Sequence, residues 1–236
     1  MIETKLILIE GIPCSGKSTT AKKLNTMISA LGIECQCFFE WAVDNPIFIG
    51  SMESLPEIIA TTKSRAQGVL RKWKGFTEKV RQENTVSIIE SRLWQTDGMY
   101  LYLSGHSEHE AAESSRRIVR TILDLNPVLI YLAPEDIGQM LEQVTETKNR
   151  AWRESGKEGS WDQWGNEVYE RQAWFTSRSL KGQYAVVRFF NEWTSLADRL
   201  YEEIPFRKIK IVNPQANWET TMHRIEGFLK IKGEQS

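Results

Sequence analysis

The stretch IEGIPCSGKSTTAKKL at residues 9–24 determines how the rest of the chain is interpreted. Its Gly11, Gly16, Lys17 and Ser18 satisfy the spacing G-x-x-x-x-G-K-[ST], between an apolar run and an amphipathic one. Glycines let a backbone curl so that successive N–H groups point at phosphate oxygens, while the lysine reaches the terminal phosphates and the serine hydroxyl holds Mg²⁺. The stretch therefore predicts a strand, a phosphate-binding loop and a helix. The residues assigned to nucleotide binding are Gly11, Ile12, Pro13, Cys14, Ser15, Gly16, Lys17, Ser18 and Thr19.

Apolar runs alternate with helical patterns along the whole chain. Such alternation is typical of a parallel sheet with crossover helices. The predicted strands cover residues 4–10, 34–40, 85–90, 127–133 and 208–213. The expected fold is therefore α/β, a three-layer P-loop NTPase fold with a five-stranded parallel sheet, helices on both faces and a lid segment. One domain is expected over residues 1–236, with the lid at approximately 146–162.

Composition excludes some classes of partner. The formal net charge of −1 provides no strong field that would attract nucleic acid or an anionic membrane. No signal peptide and no run of about 18 apolar residues is apparent, so a cytoplasmic protein is expected. The three cysteines are too few for a disulfide framework, which agrees with a reducing compartment. A homodimer is left open.

Several acids and one arginine follow predicted strands, where ligands of open parallel sheets bind. Glu40 ends the second strand and is assigned as the base on the acceptor side, with Asp44 as the reserve candidate. Glu90 ends the third strand and is assigned, with Ser18, to Mg²⁺. Arg92 is assigned a bridge between donor and acceptor phosphates, with a structural ion pair as the equal alternative.

The segment ETKNRAWRESGKEGS at residues 146–160 loses its apolar period and gains charge, serine and glycine. It is interpreted as a mobile surface segment. Arg150 and Arg153 lie three residues apart, so on a helical lid they would share a face and close over the transferring phosphoryl group. Trp41 and Trp94 follow strand ends and are the candidates for a pocket that holds a flat ring.

A nucleoside triphosphate can serve a kinase, a GTPase or a motor ATPase. The base-reading order N-K-x-D of switch GTPases is missing from TETKNR at residues 145–150, and the third strand ends in Glu90, Ser91 and Arg92 rather than in paired acids. The remaining interpretation is a small kinase.

The sequence at this point resembles the P-loop nucleoside and nucleotide kinases, with thymidylate kinase and the deoxynucleoside kinases as the nearest examples. The resemblance depends on LIEGIPCSGKSTTAKKL at residues 8–24, IIESRLWQ at 88–95, LIYLAPEDI at 129–137 and the two lid arginines. It implies an ATP- and Mg²⁺-dependent transfer of the γ-phosphoryl group to a hydroxyl or phosphate of a small molecule. A nucleoside or nucleoside monophosphate is the first candidate acceptor.

Two further functions stay open at this point. One is a kinase for an antibiotic or another metabolite on the same fold. The other is a nucleotide-dependent regulatory protein that hydrolyses slowly and signals through its lid. Turnover stimulated by an acceptor would separate a kinase from a regulator.

Overall fold

The computed structural model describes residues 2–48 and 55–230, and these form an all-parallel sheet of five strands flanked by helices. The order across the sheet is β2-β3-β1-β4-β5. The strands are β1 (Leu6–Glu10), β2 (Cys35–Phe38), β3 (Val86–Glu90), β4 (Val128–Ala133) and β5 (Arg207–Val212). Every residue of β1, β3 and β4 is buried, as expected for strands that are covered on both faces. The predicted α/β architecture is confirmed.

Ten α-helices occur in the described residues. They are α1 (Lys17–Ala30), α2 (Leu55–Ala60), α3 (Thr62–Gln82), α4 (Tyr100–Leu103), α5 (Glu108–Ile122), α6 (Ile137–Glu154), α7 (Trp161–Glu170), α8 (Ala173–Thr176), α9 (Gly182–Glu203) and α10 (Trp218–Leu229). A π-helical segment, Gln95–Met99, leads into α4, and a 3₁₀ turn, Leu123–Leu125, follows α5. None of the described helices is long and apolar enough to cross a lipid bilayer.

The sheet separates two apolar cores, which makes the three layers. Alternate residues of a strand point to opposite faces. Leu6 and Leu8 belong to the larger core, which includes residues of α3, α5 and α9. Ile7 and Ile9 belong to the smaller core, which is built with α1 and α10. The loop between β1 and α1 is therefore fixed on both sides by packed elements.

Most of the segment interpreted as a mobile surface stretch, residues 146–160, is helical, as a helical lid requires. Helix α6 continues to Glu154, and α7 begins at Trp161 after a short connection. The apolar period fades, but the residues that replace it, mainly Glu, Lys, Arg and Ala, are good helix formers and need no buried face to stay helical. Gly156 at φ 74° and Gly159 at φ 70° belong to the connection, where glycine tolerates a left-handed backbone.

Candidate active site

The loop that follows β1 is tightly curled, and residues from β4 and from the region at the start of α10 pack against it. Gly11 and Gly16 have φ values of 151° and 95°. A Cβ at Gly11 would overlap the carbonyl oxygen of Leu132, and one at Gly16 would overlap the ring of Trp218. The side-chain amide of Gln215 donates to the carbonyl oxygen of Cys14. Only glycine fits the two positions, because each combines a positive φ with a close neighbour.

Two polar groups of the loop region are buried and directed towards its interior. Lys17 is 5% exposed, and its Nζ donates to the carbonyl oxygen of Ile12 at 2.8 Å. Ser15 Oγ is also buried and makes no hydrogen bond within residues 2–48 and 55–230. A lysine ammonium and an unpartnered hydroxyl inside a glycine-rich turn are suitable partners for phosphate oxygens.

Ser18 and Glu90 bring two oxygen ligands together beside the loop. The Ser18 hydroxyl donates to Glu90 Oε1 at 2.7 Å. Mg²⁺ prefers oxygen ligands and commonly binds through one or two protein oxygens, waters and substrate phosphates. The pair fits such an ion, although the described residues contain no group of three or more His, Cys, Asp or Glu that could hold a metal unaided. The two residues of the predicted Mg²⁺ site, Ser18 and Glu90, are therefore adjacent to each other.

Glu40 lies just beyond the end of β2, in a network of three donors. Its Oε1 accepts from Thr96 Oγ1 at 3.0 Å and from the Tyr100 hydroxyl at 3.4 Å, while its Oε2 accepts from Gln95 Nε2 at 3.3 Å. The side chain is 8% exposed, and burial raises its pKa. The positive charges of Lys17 and Arg92 oppose that shift in pKa. A carboxylate in this setting is oriented by its donors and is a stronger base than one in water.

Residues around Glu40, the loop and the helices α6, α7 and α9 enclose a cleft of about 940 Å³. Lys17, Ser18, Glu40 and Glu90 all contribute to its lining, so four of the predicted functional residues meet in one place. Asp44 is exposed and does not contribute to the lining. The sequence left Glu40 and Asp44 as alternative candidates for the base. The structure places Glu40 in the lining of the cleft and Asp44 outside it.

Aromatic side chains form one wall of the cleft. Trp41 and Tyr100 both line it, with ring centroids 6.5 Å apart and planes 28° apart. Trp94 does not line the cleft, because it is 1% exposed and packs edge-on against Tyr131 in the core. Of the two tryptophans proposed for a pocket, only Trp41 lies where it could contact a bound ring.

Arg92 is buried behind the cleft lining rather than in it. Its Nη2 donates to the carbonyl oxygen of Ile47 at 3.2 Å, and its guanidinium carbon lies 6.0 Å from the centre of the Phe48 ring. Burial raises the pKa of Asp97, and the charges of Arg92 and Arg65 oppose that shift. Within the described residues, however, Arg92 Nε and Asp97 Oδ2 are buried without a hydrogen-bond partner, so the structure does not establish the ion-pair alternative. The predicted bridge between phosphates stays a prediction.

The segment predicted to be a lid belongs to a hairpin of α6 and α7, and both helices line the cleft. Asn149 Oδ1 on α6 accepts from the backbone N–H groups of Trp161 at 2.8 Å and Asp162 at 3.3 Å, which joins α6 to the start of α7. Trp152 and Trp164 pack with ring centroids 5.3 Å apart and strengthen the same junction. The hairpin therefore behaves as a connected unit above the loop.

Lys148, rather than either lid arginine, lines the cleft. Burial raises the pKa of Cys14 in the loop, and the nearby charges of Lys148 and Lys17 oppose that rise. The Arg150 side chain is 64% exposed, with its Nη2 3.8 Å from Glu146 Oε1, and Arg153 is exposed as well. A catalytic role for the two arginines stays a prediction that requires α6 to move.

Lys148→Ala is expected to raise the KM for ATP about tenfold, because a single cation near phosphates contributes on the order of 1.4 kcal/mol. Arg150→Ala tests the predicted lid contact in the same steady-state assay. A comparable loss would mean that α6 turns its exposed face towards the cleft during turnover. A wild-type KM and kcat for Arg150→Ala would contradict the predicted role.

The sequence interpretation missed Gln95, Thr96 and Tyr100 as partners of Glu40, and Trp218 and Gln215 as neighbours of the loop. Gln95 and Tyr100 do follow β3, so the rule that ligands bind beyond strand ends could have included them. No comparable sequence signal indicates that Trp218, the first residue of α10, would contact the loop.

The parallel sheet and the glycine-rich loop after β1 together define the class of fold, which is that of the P-loop nucleoside kinases. Deoxyadenosine kinase from M. mycoides with bound dATP is similar, with a TM-score of 0.52 and 13% identity over 95% of this chain and 98% of that one. The YorR protein of Bacillus subtilis in complex with phosphorylated GDP has a TM-score of 0.42 and 12% identity over 96% of each chain. No protein-family model and no curated protein matches the sequence. The likeness to deoxyadenosine kinase shows the fold alone.

Proposed function

We propose that the protein is an ATP-dependent kinase that transfers the γ-phosphoryl group to a hydroxyl of a nucleoside-like acceptor. The observation that carries the proposal is the buried Glu40 carboxylate in the same cleft as Lys17 and the Ser18–Glu90 pair. Phosphoryl transfer needs positioning, neutralisation of phosphate charge and a group that takes the acceptor proton. This cleft offers residues for each of those needs.

The donor side of the cleft has the groups that bind a triphosphate. The loop between β1 and α1 offers backbone N–H groups and the positive end of a helix, and Lys17 adds a fixed cation. Ser18 and Glu90 are the residues that would hold Mg²⁺. The ion, when bound, neutralises charge on the phosphate oxygens. Lys17 stabilises the negative charge that moves onto the departing ADP.

On the acceptor side, Glu40 takes the proton of the acceptor hydroxyl. The acceptor oxygen then forms a bond to the γ-phosphorus, the bond from that phosphorus to the β–γ bridging oxygen breaks, and ADP leaves with the electron pair. Gln95, Thr96 and Tyr100 hold the Glu40 carboxylate in a fixed orientation. Burial raises the pKa of Glu40, which makes the carboxylate a stronger base towards the acceptor hydroxyl that it deprotonates.

The lining of the cleft supports a flat, polar-edged acceptor. Trp41 and Tyr100 offer aromatic surface, and the Gln95 amide lies next to them in the lining. Aromatic faces with a few convergent polar groups are typical of sites for small ring systems. A nucleoside combines such a ring with a primary hydroxyl, which is the group that Glu40 can deprotonate.

The proposal predicts that a nucleoside accelerates ADP formation by about 10²-fold or more over water alone, because a positioned acceptor replaces solvent. ADP release is measured with a panel of nucleosides, nucleoside monophosphates and hydroxylated antibiotics, with Lys17→Ala as the background control. Stimulation by antibiotics alone would favour the metabolite kinase. Slow hydrolysis that no acceptor accelerates would contradict the proposal and favour a regulatory protein.

A further inference from the structure

Glu10, the last residue of β1, makes a long-range contact that the mechanism above does not use. Its side chain is 0% exposed. Oε1 accepts from the backbone N–H of Leu93 at 2.7 Å, and Oε2 accepts from the backbone N–H of Gln95 at 3.2 Å. The carboxyl group therefore joins the residue before the phosphate-binding loop to the connection that follows β3, more than eighty residues away.

The connection that Glu10 holds is an unusual piece of backbone. Ser91 has a φ of 62°, a left-handed conformation that costs free energy for a residue with a side chain. Its carbonyl oxygen accepts from the Thr96 N–H at 3.2 Å, and the π-helical segment Gln95–Met99 follows at once. Strained backbone persists only where neighbours fix it. The two N–H groups bound by Glu10 lie inside this turn.

The side chains carried by the turn are the ones that hold Glu40. Gln95 donates its backbone N–H to Glu10 and its side-chain amide to Glu40 Oε2. The hydroxyl of Thr96, the next residue, lies 3.0 Å from Glu40 Oε1 and also contacts the carbonyl oxygen of Ser91. A continuous chain of hydrogen bonds thus runs from Glu10 through the backbone of the turn to Glu40.

Glu10 cannot act by touching a substrate. It does not contribute to the lining of the cleft, and its exposed fraction is zero. Placing a carboxyl group there is costly unless its oxygens have donors. The two hydrogen bonds from the backbone of Leu93 and Gln95 therefore favour a role for Glu10 in fixing the conformation of the turn after β3.

We propose that Glu10 is a positioning residue, which orders the turn after β3 and thereby orients Glu40 towards the acceptor hydroxyl. The catalytic consequence of this ordering depends on the proposed kinase function. The ordering of the turn itself does not depend on that function, and hydrogen exchange measures it separately.

The test uses Glu10→Gln, which keeps the shape but places an amide NH₂ opposite one of the two backbone donors. We expect amide hydrogen exchange in residues 91–99 to rise about tenfold, because a hydrogen bond from a backbone N–H to a carboxyl oxygen of Glu10 is lost. The NMR signal of the Gln95 side-chain amide is expected to shift towards that of a solvated amide. With a nucleoside acceptor, kcat falls about tenfold while the KM for ATP stays within about twofold.

A double-mutant cycle separates positioning from general destabilisation. In a Glu40→Gln background, the effect of Glu10→Gln on kcat is expected to disappear, because the group that it orients is gone. Ile122→Val at the last residue of α5 is the control, since it removes a methyl group from the core without touching the hydrogen bonds of Glu10. If Glu10→Gln does not fold, Glu10→Asp replaces it, because the shorter acid keeps a carboxyl group but cannot reach both amides.

Three results would overturn the positioning proposal: unchanged exchange in residues 91–99, an unchanged Gln95 side-chain signal, or a loss of kcat that is additive with Glu40→Gln. A wild-type protein without any acceptor-stimulated turnover would instead overturn the proposed function. In that case the exchange and NMR measurements still decide whether Glu10 orders the turn and the partners of Glu40.

Discussion

Lys17→Ala is expected to reduce kcat by about 10³-fold, the upper range seen when one preorganised donor is removed from a site where charge develops. Lys17 is buried at the loop, and its positive charge opposes the rise that burial causes in the pKa of Glu40. The ammonium is a fixed positive charge beside the predicted site of the terminal phosphates. ADP formation with the best acceptor is the measurement.

The fold should survive this change, because within residues 2–48 and 55–230 the Lys17 side chain donates one hydrogen bond, to the Ile12 carbonyl oxygen. Its loss costs about 1 kcal/mol. Lys23→Ala removes a lysine from the exposed face of the same helix and is the matched control. A Lys17→Ala protein with the melting temperature and kcat of the Lys23→Ala control would contradict the assignment of the loop as the nucleotide site.

The elements that local sequence determines could be predicted. The strand, loop and helix between Leu6 and Ala30 follow from the apolar run, the two glycines and the helical period. The pairing of Ser18 with Glu90 was also accessible. Residues at the carboxyl ends of parallel strands share one edge of the sheet, and β3 lies next to β1.

The position of Arg150 and Arg153 shows why residue spacing alone could not predict which side chains of α6 line the cleft. Arg150 and Arg153 do lie on one helix, as their separation suggested, but spacing does not show which face meets the cleft. The cleft-facing stripe of α6 contains Leu141, Val144 and Lys148. Arg150 comes two residues after Lys148, which is about 200° around an α-helix, so it points away. Only the packing of α6 on the rest of the fold determines this.

The surroundings of Glu40 depend on contacts that no local pattern encodes. Its partners Gln95 and Thr96 reach it because the chain enters a π-helical segment through the left-handed Ser91. A sequence pattern predicts the existence of helices far better than such irregular turns. Trp218 meets Gly16 for a similar reason, since two residues some two hundred positions apart become neighbours only through the sheet order.

Glu40→Gln is expected to lower kcat by about 10²-fold or more with a nucleoside acceptor, because the amide cannot take the proton of the hydroxyl. The substitution should be tolerated structurally. A glutamine oxygen can still accept from Thr96, and the Gln95 amide can rotate to offer its oxygen to the new NH₂ group. The KM for ATP should stay nearly unchanged, because the loop, Lys17 and the Ser18–Glu90 pair are intact.

Asp44→Asn is the comparison that makes the result specific, since Asp44 is the neighbouring acid that lies outside the cleft. We expect it to keep the wild-type kcat. Loss of activity in Asp44→Asn with full activity in Glu40→Gln would move the base by four residues and overturn the assignment. If neither variant is affected, no carboxylate is needed to take a proton. The acceptor would then already be ionised, as the phosphate of a nucleoside monophosphate is, and the proposal of a hydroxyl acceptor would be wrong.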